Sequence, residues 1–288
     1  MKFLLPGLLL LLPLLSTAAS MQPGFHIPRT EVLGVRDERA GRDYELFIKL
    51  PRSYSNPETR QKHYPVIYLT DAMYTFQIVS GATRFPMAVG KMREAIIVGV
   101  SWQKGIHSTP SRVRDYTPFH EPSWKLETGK AEAHLRFFRE KVFPKVEQRF
   151  PVDAGNRTYV GNSLGGLLGA YALVEHPDMF HNYVIGSPSL WFNNGRLFSL
   201  LDRPREKNES LKHRVFLAVG SLERAGSQSD SQPDMVADTE RFYRALRSKN
   251  YPGLTLEFRV IEGATHETAF PTTAAQGLYW LFKTSEEA

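Results

Sequence analysis

The chain contains no cysteine. That excludes disulfides, thiolate metal sites and lipid attachment at a cysteine, so stability has to come from the core. Metal chemistry has little else to draw on. His266-Glu267-Thr268-Ala269-Phe270 opens like a zincin motif but lacks the second histidine, and there is no His-x-His pair. No G-x-G-x-x-G follows a strand-like run, which leaves nucleotide binding without support. No metal and no other cofactor is expected. Long runs of basic residues are also missing. The formal charge is +6, but its lysines and arginines are scattered and no nucleic-acid motif gathers them. Nucleic acid is therefore not an expected partner. The surplus suits a basic exported protein and would attract an anionic small molecule.

Long apolar runs are absent with one exception. Phe3 to Leu15 is leucine-rich, follows Lys2 and precedes Ser16-Thr17-Ala18-Ala19-Ser20. This is the layout of a secretory signal peptide over residues 1–20. The run is short for a membrane span and carries Pro6 and Pro13. Export to the periplasm or beyond is expected, and a membrane enters only if the leader stays uncleaved as an anchor. Residues 21–288 are expected to form a single domain. No internal repeat is visible, and 42% apolar residues over a 288-residue chain suffice for a large core.

Within that domain, residues 31–36 and 43–50 alternate as strands, with Arg39-Ala40-Gly41-Arg42 as a hairpin turn. Residues 65–71 and 95–102 are continuous apolar runs of the buried-strand type. Residues 73–90 read as partly helical. Residues 103–127 read as a long loop, and such loops commonly line sites. Residues 129–150 are amphipathic, with Leu135, Phe138, Val142 and Val146 on one face. Further strands follow at 158–162, 183–187, 214–220 and 254–261, with helices at 238–248 and up to 283. Residues 226–234 read as a polar surface loop. Strands alternating with helices imply an α/β protein. Its central sheet is expected to be mostly parallel, with an antiparallel start and helices on both faces.

Gly161-Asn162-Ser163-Leu164-Gly165 stands between a β-branched, aromatic run and a run of glycines and leucines. The pattern is G-x-S-x-G, the sharp strand-to-helix turn that exposes a serine hydroxyl. Glycines on either side remove the Cβ atoms that would clash, and the following helix aims its free N–H groups at the chemistry. A serine hydroxyl needs a base, and the base needs an orienting partner. Sites in parallel sheets lie at the carboxyl ends of strands. There the sequence places Glu223, three residues past Gly220, and His266, in the loop after the last strand. The order serine, acid, histidine is the one the α/β-hydrolase arrangement requires. Ser163, His266 and Glu223 are the candidate catalytic residues, with the downstream acids Asp238 and Glu240, or a Ser–His dyad, as alternatives to Glu223. The oxyanion of acyl transfer needs N–H donors. Leu164 is one candidate, and Ala72 or Met73, after the 65–71 strand, is the other.

Five further segments carry a resemblance: Tyr-Pro-Val-Ile-Tyr-Leu-Thr-Asp at 64–71, Arg-Asp-Tyr-Thr-Pro at 114–118, Ser-Pro-Ser-Leu-Trp-Phe at 187–192, Val-Gly-Ser-Leu-Glu at 219–223, and His266. With the elbow they make most of the chain resemble an esterase family within the α/β hydrolases. That group holds enterochelin esterases, feruloyl and acetylxylan esterases, S-formylglutathione hydrolases and mycolyltransferases. The Arg-Asp-x-Thr-Pro and Ser-Pro-Ser-Leu-Trp pieces resemble the branch of periplasmic siderophore esterases of the salmochelin and enterobactin type. The resemblance implies an α/β-hydrolase fold, and hydrolysis of catecholate trilactone esters, with a small, anionic ferric siderophore as substrate. The family often carries Asp-Gly after the third strand, where this chain has Asp71-Ala72.

The expected activity is an exported serine esterase working through an acyl-enzyme. The alternatives are a feruloyl or acetyl polysaccharide esterase, an acyltransferase, or a binding protein on a hydrolase fold. Tyr74, Phe76, Trp102, Trp191 and Phe192 are candidates for flat apolar walls around an aromatic acyl group. Arg112 and Arg114 are candidates for facing an anionic ligand, or for pairing with Asp115.

Overall fold

The apolar runs at 64–69 and 96–100 are buried at every position, β3 (Tyr64–Leu69) and β4 (Ile96–Val100), as strands covered on both faces must be. They belong to a computed structural model that describes residues 24–203, 212–227 and 233–284. The expected leader at 1–20 and most of the expected 226–234 loop lie outside those residues. The remaining strands are β1 (Thr30–Asp37), β2 (Arg42–Lys49), β5 (Val152–Asn162), β6 (Asn182–Gly186), β7 (Arg214–Gly220) and β8 (Thr255–Ile261). All eight join one sheet in the order β1-β2-β4-β3-β5-β6-β7-β8. β1 pairs β2 as a hairpin, with Asp37 opposite Arg42, and β2 pairs β4, both antiparallel. Every other pairing is parallel.

The helices are α1 (Ala72–Ala88), α2 (Ser108–Tyr116), α3 (Ala131–Phe137), α4 (Phe143–Arg149), α5 (Leu164–Glu175), the single turn α6 (Phe192–Gly195), α7 (Leu197–Leu201), α8 (Met235–Ser248) and α9 (Ala269–Phe282). They cover both faces of the sheet. Phe76 and Val79 of α1 and Phe270 and Leu278 of α9 close one core with Ile67, Leu69, Val160 and Val184. Leu135 of α3, Val146 of α4 and Leu168 of α5 close the other with Tyr68, Tyr159 and Ile185. This is an α/β-hydrolase fold. α5 is buried at all but one of its positions, as expected of a helix apolar all round. Leu135, Phe138, Val142 and Val146 are all buried, and a wide π turn over Phe138–Val142 joins α3 to α4.

The 103–127 segment differs from its expected form, because its middle is α2. Its buried positions are mostly polar, Ser111, Arg114 and Asp115 beside Val113 and Tyr116. A helix that buries charges leaves no apolar period to read. Asp115 accepts hydrogen bonds from Arg114 at 2.8 Å and from the Tyr44 hydroxyl at 2.9 Å. Burial alone would raise the Asp115 pKa, but His134 and Arg114 beside it hold it below the usual carboxylate value. His134 packs against Tyr44, Tyr116 and Phe138. Burial lowers its pKa.

A pH dependence follows. Below the ordinary histidine value the unfolded chain takes up the His134 proton before the native state does, so native stability falls as pH drops. The Asp115 carboxylate acts in the same sense at lower pH, since its stabilisation is lost as pH falls through its depressed native pKa. Thermal melts between pH 7.5 and 5 should show Tm falling, and His134→Phe should flatten that limb. An unchanged slope in the variant would show that His134 does not titrate this way.

Candidate active site

The strand order reverses between β3 and β5, since β4 lies to one side of β3 and β6 to the far side of β5. Ligands of open parallel sheets bind at such a reversal, at the carboxyl ends of the strands. Ser163 follows β5 there, and Asp71 follows β3. Ser163 has φ 60° and ψ −121°, backbone that side-chain-bearing residues rarely adopt. The surroundings enforce it: the Ser163 N–H donates to the Gly186 carbonyl at 3.0 Å, and its own carbonyl accepts from Ser189 N–H at 3.2 Å. The flanking glycines behave as the motif requires. A Cβ on Gly161 would lie 2.4 Å from the Gly165 carbonyl oxygen, and one on Gly165 would lie 2.4 Å from Thr70 Oγ1. The elbow thus packs directly against the end of β3.

His266 sits in the loop after β8. Its Nε2 is 2.9 Å from Ser163 Oγ, and its Nδ1 is 2.6 Å from Glu223 Oε2. Glu223 is fully buried. Its other carboxylate oxygen accepts from Gly220 N–H at 2.7 Å and from Ser187 Oγ at 2.6 Å. A carboxylate on Nδ1 fixes the imidazole with its proton on that side, so Nε2 is left as the acceptor facing the serine. At the elbow the Leu164 N–H opens α5, and the Ala72 and Met73 N–H groups open α1. The first N–H groups of a helix have no acceptor within it. In α1 the first two internal bonds come from Tyr74 and Thr75, both to the Asp71 carbonyl.

A cavity of about 330 Å³ lies over this line, and Tyr74, Trp102, Arg112, Ser163, His266 and Phe270 are among the residues around it. Burial raises the Tyr74 phenol pKa, so it stays a neutral donor. Its ring meets Phe270 edge to face, centroids 5.9 Å apart. Arg112 grips Asp71 with two bonds, Nε to Oδ1 at 3.1 Å and Nη2 to Oδ2 at 2.9 Å. Trp102 Nε1 donates to the same carboxylate at 2.5 Å. Burial works against the Arg112 charge, but Asp71 outweighs it and the guanidinium stays protonated.

Four sequence candidates are not at the cavity. Arg114 is turned to Asp115 and Tyr44 and is itself buried. Phe192 is buried and meets Trp124 edge to face, and Trp191 stacks on Trp124. Phe76 is buried on the opposite face of α1, against Phe47. Residues the sequence did not single out take their place. Asp71 anchors Trp102 and Arg112, Ser187 holds Glu223, Phe270 forms a wall, and Ser189 Oγ lies 3.5 Å from Ser163 Oγ. Ser187 and Ser189 were visible only as part of Ser-Pro-Ser-Leu-Trp, with no chemical signal of their own.

The chain has relatives among known proteins. The family model described as "Putative esterase" matches residues 38–278. The chain belongs to this esterase family. The esterase is similar to ferri-bacillibactin esterase BesA of Bacillus subtilis (strain 168), at 29% identity over 272 residues, covering 88% of this chain and 90% of that protein. It is also similar to the siderophore triacetylfusarinine C esterase of Aspergillus fumigatus, at 30% identity over 172 residues, covering 58% of each. Among solved structures, the BES protein from Bacillus cereus superposes with a TM-score of 0.78 at 28% identity, covering 92% of this chain and 99% of that one. The protein is an ester hydrolase. Among the described residues no helix is long and apolar enough to cross a membrane.

Proposed function

We propose that Ser163 is the nucleophile of this esterase, His266 its base and Glu223 the group that orients the base. The observation that carries the reading is the unbroken line from Ser163 Oγ through His266 to the buried Glu223. Ser163 Oγ attacks the ester carbonyl as His266 Nε2 takes its proton. The carbonyl oxygen becomes an oxyanion, met by the Leu164 N–H at the start of α5 and by the Ala72 or Met73 N–H at the start of α1. Collapse expels the alcohol, which takes the proton back from His266, and leaves an acyl-enzyme. Water, activated by the same histidine, then releases the acid. The leader at 1–20 directs the protein to the periplasm or outside the cell.

The proposed substrate is a siderophore ester of the catecholate trilactone class. BesA and the Aspergillus enzyme, named for ferri-bacillibactin and triacetylfusarinine C, support a siderophore ester, and the aromatic walls Tyr74, Trp102 and Phe270 with the charged Arg112 support the catecholate class. One observation favours a second reading. Arg112 is already paired with Asp71, so the cavity offers a near-neutral ion pair rather than a free cation. That suits a feruloyl or other uncharged aromatic ester. Initial rates on a ferric catecholate trilactone, a feruloyl saccharide, an acetylated xylan and p-nitrophenyl acyl esters decide between them. The trilactone should give the highest kcat/KM, by at least about tenfold. A preference for the feruloyl saccharide would overturn the siderophore assignment and leave the nucleophile assignment standing.

A further inference from the structure

At the end of the sheet opposite the elbow, three cations converge with no carboxylate between them. Lys49 is the last residue of β2, and its neighbour across the ladder is Ile97, near the start of β4. The Lys49 side chain points to the face covered by α1 and the segment leading into β1. The residue is 6% exposed, and its Nζ is buried with no hydrogen-bond partner among the described residues. Its charged neighbours are Arg29 and Arg84, both of the same sign. Lys49 and Arg84 stand between two cavities, one of about 240 Å³ that also takes in Arg29 and Arg52, the other of about 610 Å³ under Phe25 and Ile27. Glu94 borders the smaller cavity, but it is already engaged by Ser53 and Lys62. Residues 1–30 contain no Asp or Glu.

A buried ammonium without a partner is costly unless it loses its proton or gains an anion. Burial and the two arginines already push Lys49 toward losing its proton. The two arginines argue for the second outcome. A guanidinium cannot be deprotonated, and a pair of them flanking an ammonium is the arrangement that suits a phosphate group. Arg29 is held in place by its own left-handed backbone, φ 60°, and by donating Nε to the Leu50 carbonyl at 3.2 Å. The surroundings extend the chemistry. Phe25 is 89% exposed and Phe85, next to Arg84, is 73% exposed. Large apolar side chains standing in solvent beside basic ones fit a headgroup phosphate at a bilayer surface as well as a free ion.

We propose that Lys49, Arg84 and Arg29 form a binding site for a phosphate group, separate from the esterase centre. The test uses the full chain with two variants, Lys49→Met, which keeps volume and removes charge, and Arg84→Gln. Both should keep wild-type turnover of a p-nitrophenyl ester. In the first arm, inorganic phosphate is compared with potassium chloride at matched ionic strength. Phosphate should raise the wild-type Tm by about 5 °C at concentrations well above its dissociation constant, and Lys49→Met should lose that rise. In the second arm, flotation is compared on phosphatidylglycerol and phosphatidylcholine vesicles. Excess binding to phosphatidylglycerol that Arg84→Gln abolishes, with no effect of free phosphate, assigns the site to a lipid headgroup. Neither effect in the wild type, or effects that survive in both variants, would overturn the proposal. So would a lower Tm of Lys49→Met without phosphate, because it would show that the ammonium already has an internal partner.

Discussion

Alanine at Ser163 should lower kcat by about a millionfold while leaving the fold intact, and alanine at His266 should do nearly the same. The double variant should be no worse than either single one. Once the hydroxyl is gone the imidazole has no proton to take, and without the imidazole the hydroxyl is not deprotonated at neutral pH. Residual rate above the uncatalysed reaction would come from the Leu164 and α1 N–H donors alone. A fluorophosphonate probe should label the wild type and neither Ser163 variant. Glycine at 163 adds a second readout. The native backbone at φ 60°, ψ −121° is strained for serine and open to glycine, so Ser163→Gly should be inactive yet more stable by about 1 kcal/mol. Labelling of Ser163→Ala at the wild-type rate would remove Ser163 as nucleophile.

Glu223→Gln should lower kcat by about 10⁴-fold with little loss of stability. The reason lies in which atoms Glu223 serves. Oε1 accepts from the Gly220 N–H and the Ser187 hydroxyl, while Oε2 faces His266 Nδ1. The Gly220 N–H is fixed backbone, so a glutamine must give it the amide oxygen. Its NH₂ is then presented to Nδ1, donor against donor. The imidazole relieves the conflict by moving its proton to Nε2, where it can no longer accept from Ser163. Glu223→Ala is a blunter test, because it also strands the Gly220 N–H and the Ser187 hydroxyl, about 1–3 kcal/mol each when buried. Steady-state kcat on a p-nitrophenyl ester, with Tm as the folding control, reads both. A wild-type rate for Glu223→Gln would leave a Ser–His dyad as the working unit.

Much of the arrangement was legible before folding because its signals are local. A strand buried on both faces has to be an unbroken apolar run, which marked β3, β4 and β7. The elbow combines such a run with glycines and an apolar helix within a few residues, and reading the ends of β7 and β8 for an acid and a histidine picked out the Glu223 and His266 that lie in line with Ser163. The segment from 103 to 127 was not legible in the same way. α2 buries Ser111, Arg114 and Asp115, so its polar sequence looked like a loop, and the two arginines within it looked equivalent.

They are not equivalent, because on a helix two residues apart is a turn of about 200°. Arg112 faces Asp71 and the cavity, and Arg114 faces Asp115 and Tyr44 on the far side. The aromatic residues divided on the same principle. Tyr74 and Trp102 reached the site, while Trp191 and Phe192 closed around Trp124, a partner 67 and 68 positions away in the chain. The sequence by itself determined the strands, the elbow and the order of serine, acid and histidine, because each depends on neighbours along the chain. Only the tertiary structure decided which arginine and which rings surround the serine, that Ser187 holds Glu223, and that Lys49 is buried among arginines. Those outcomes depend on which side of an element faces which neighbour across the fold, and no stretch of sequence carries that.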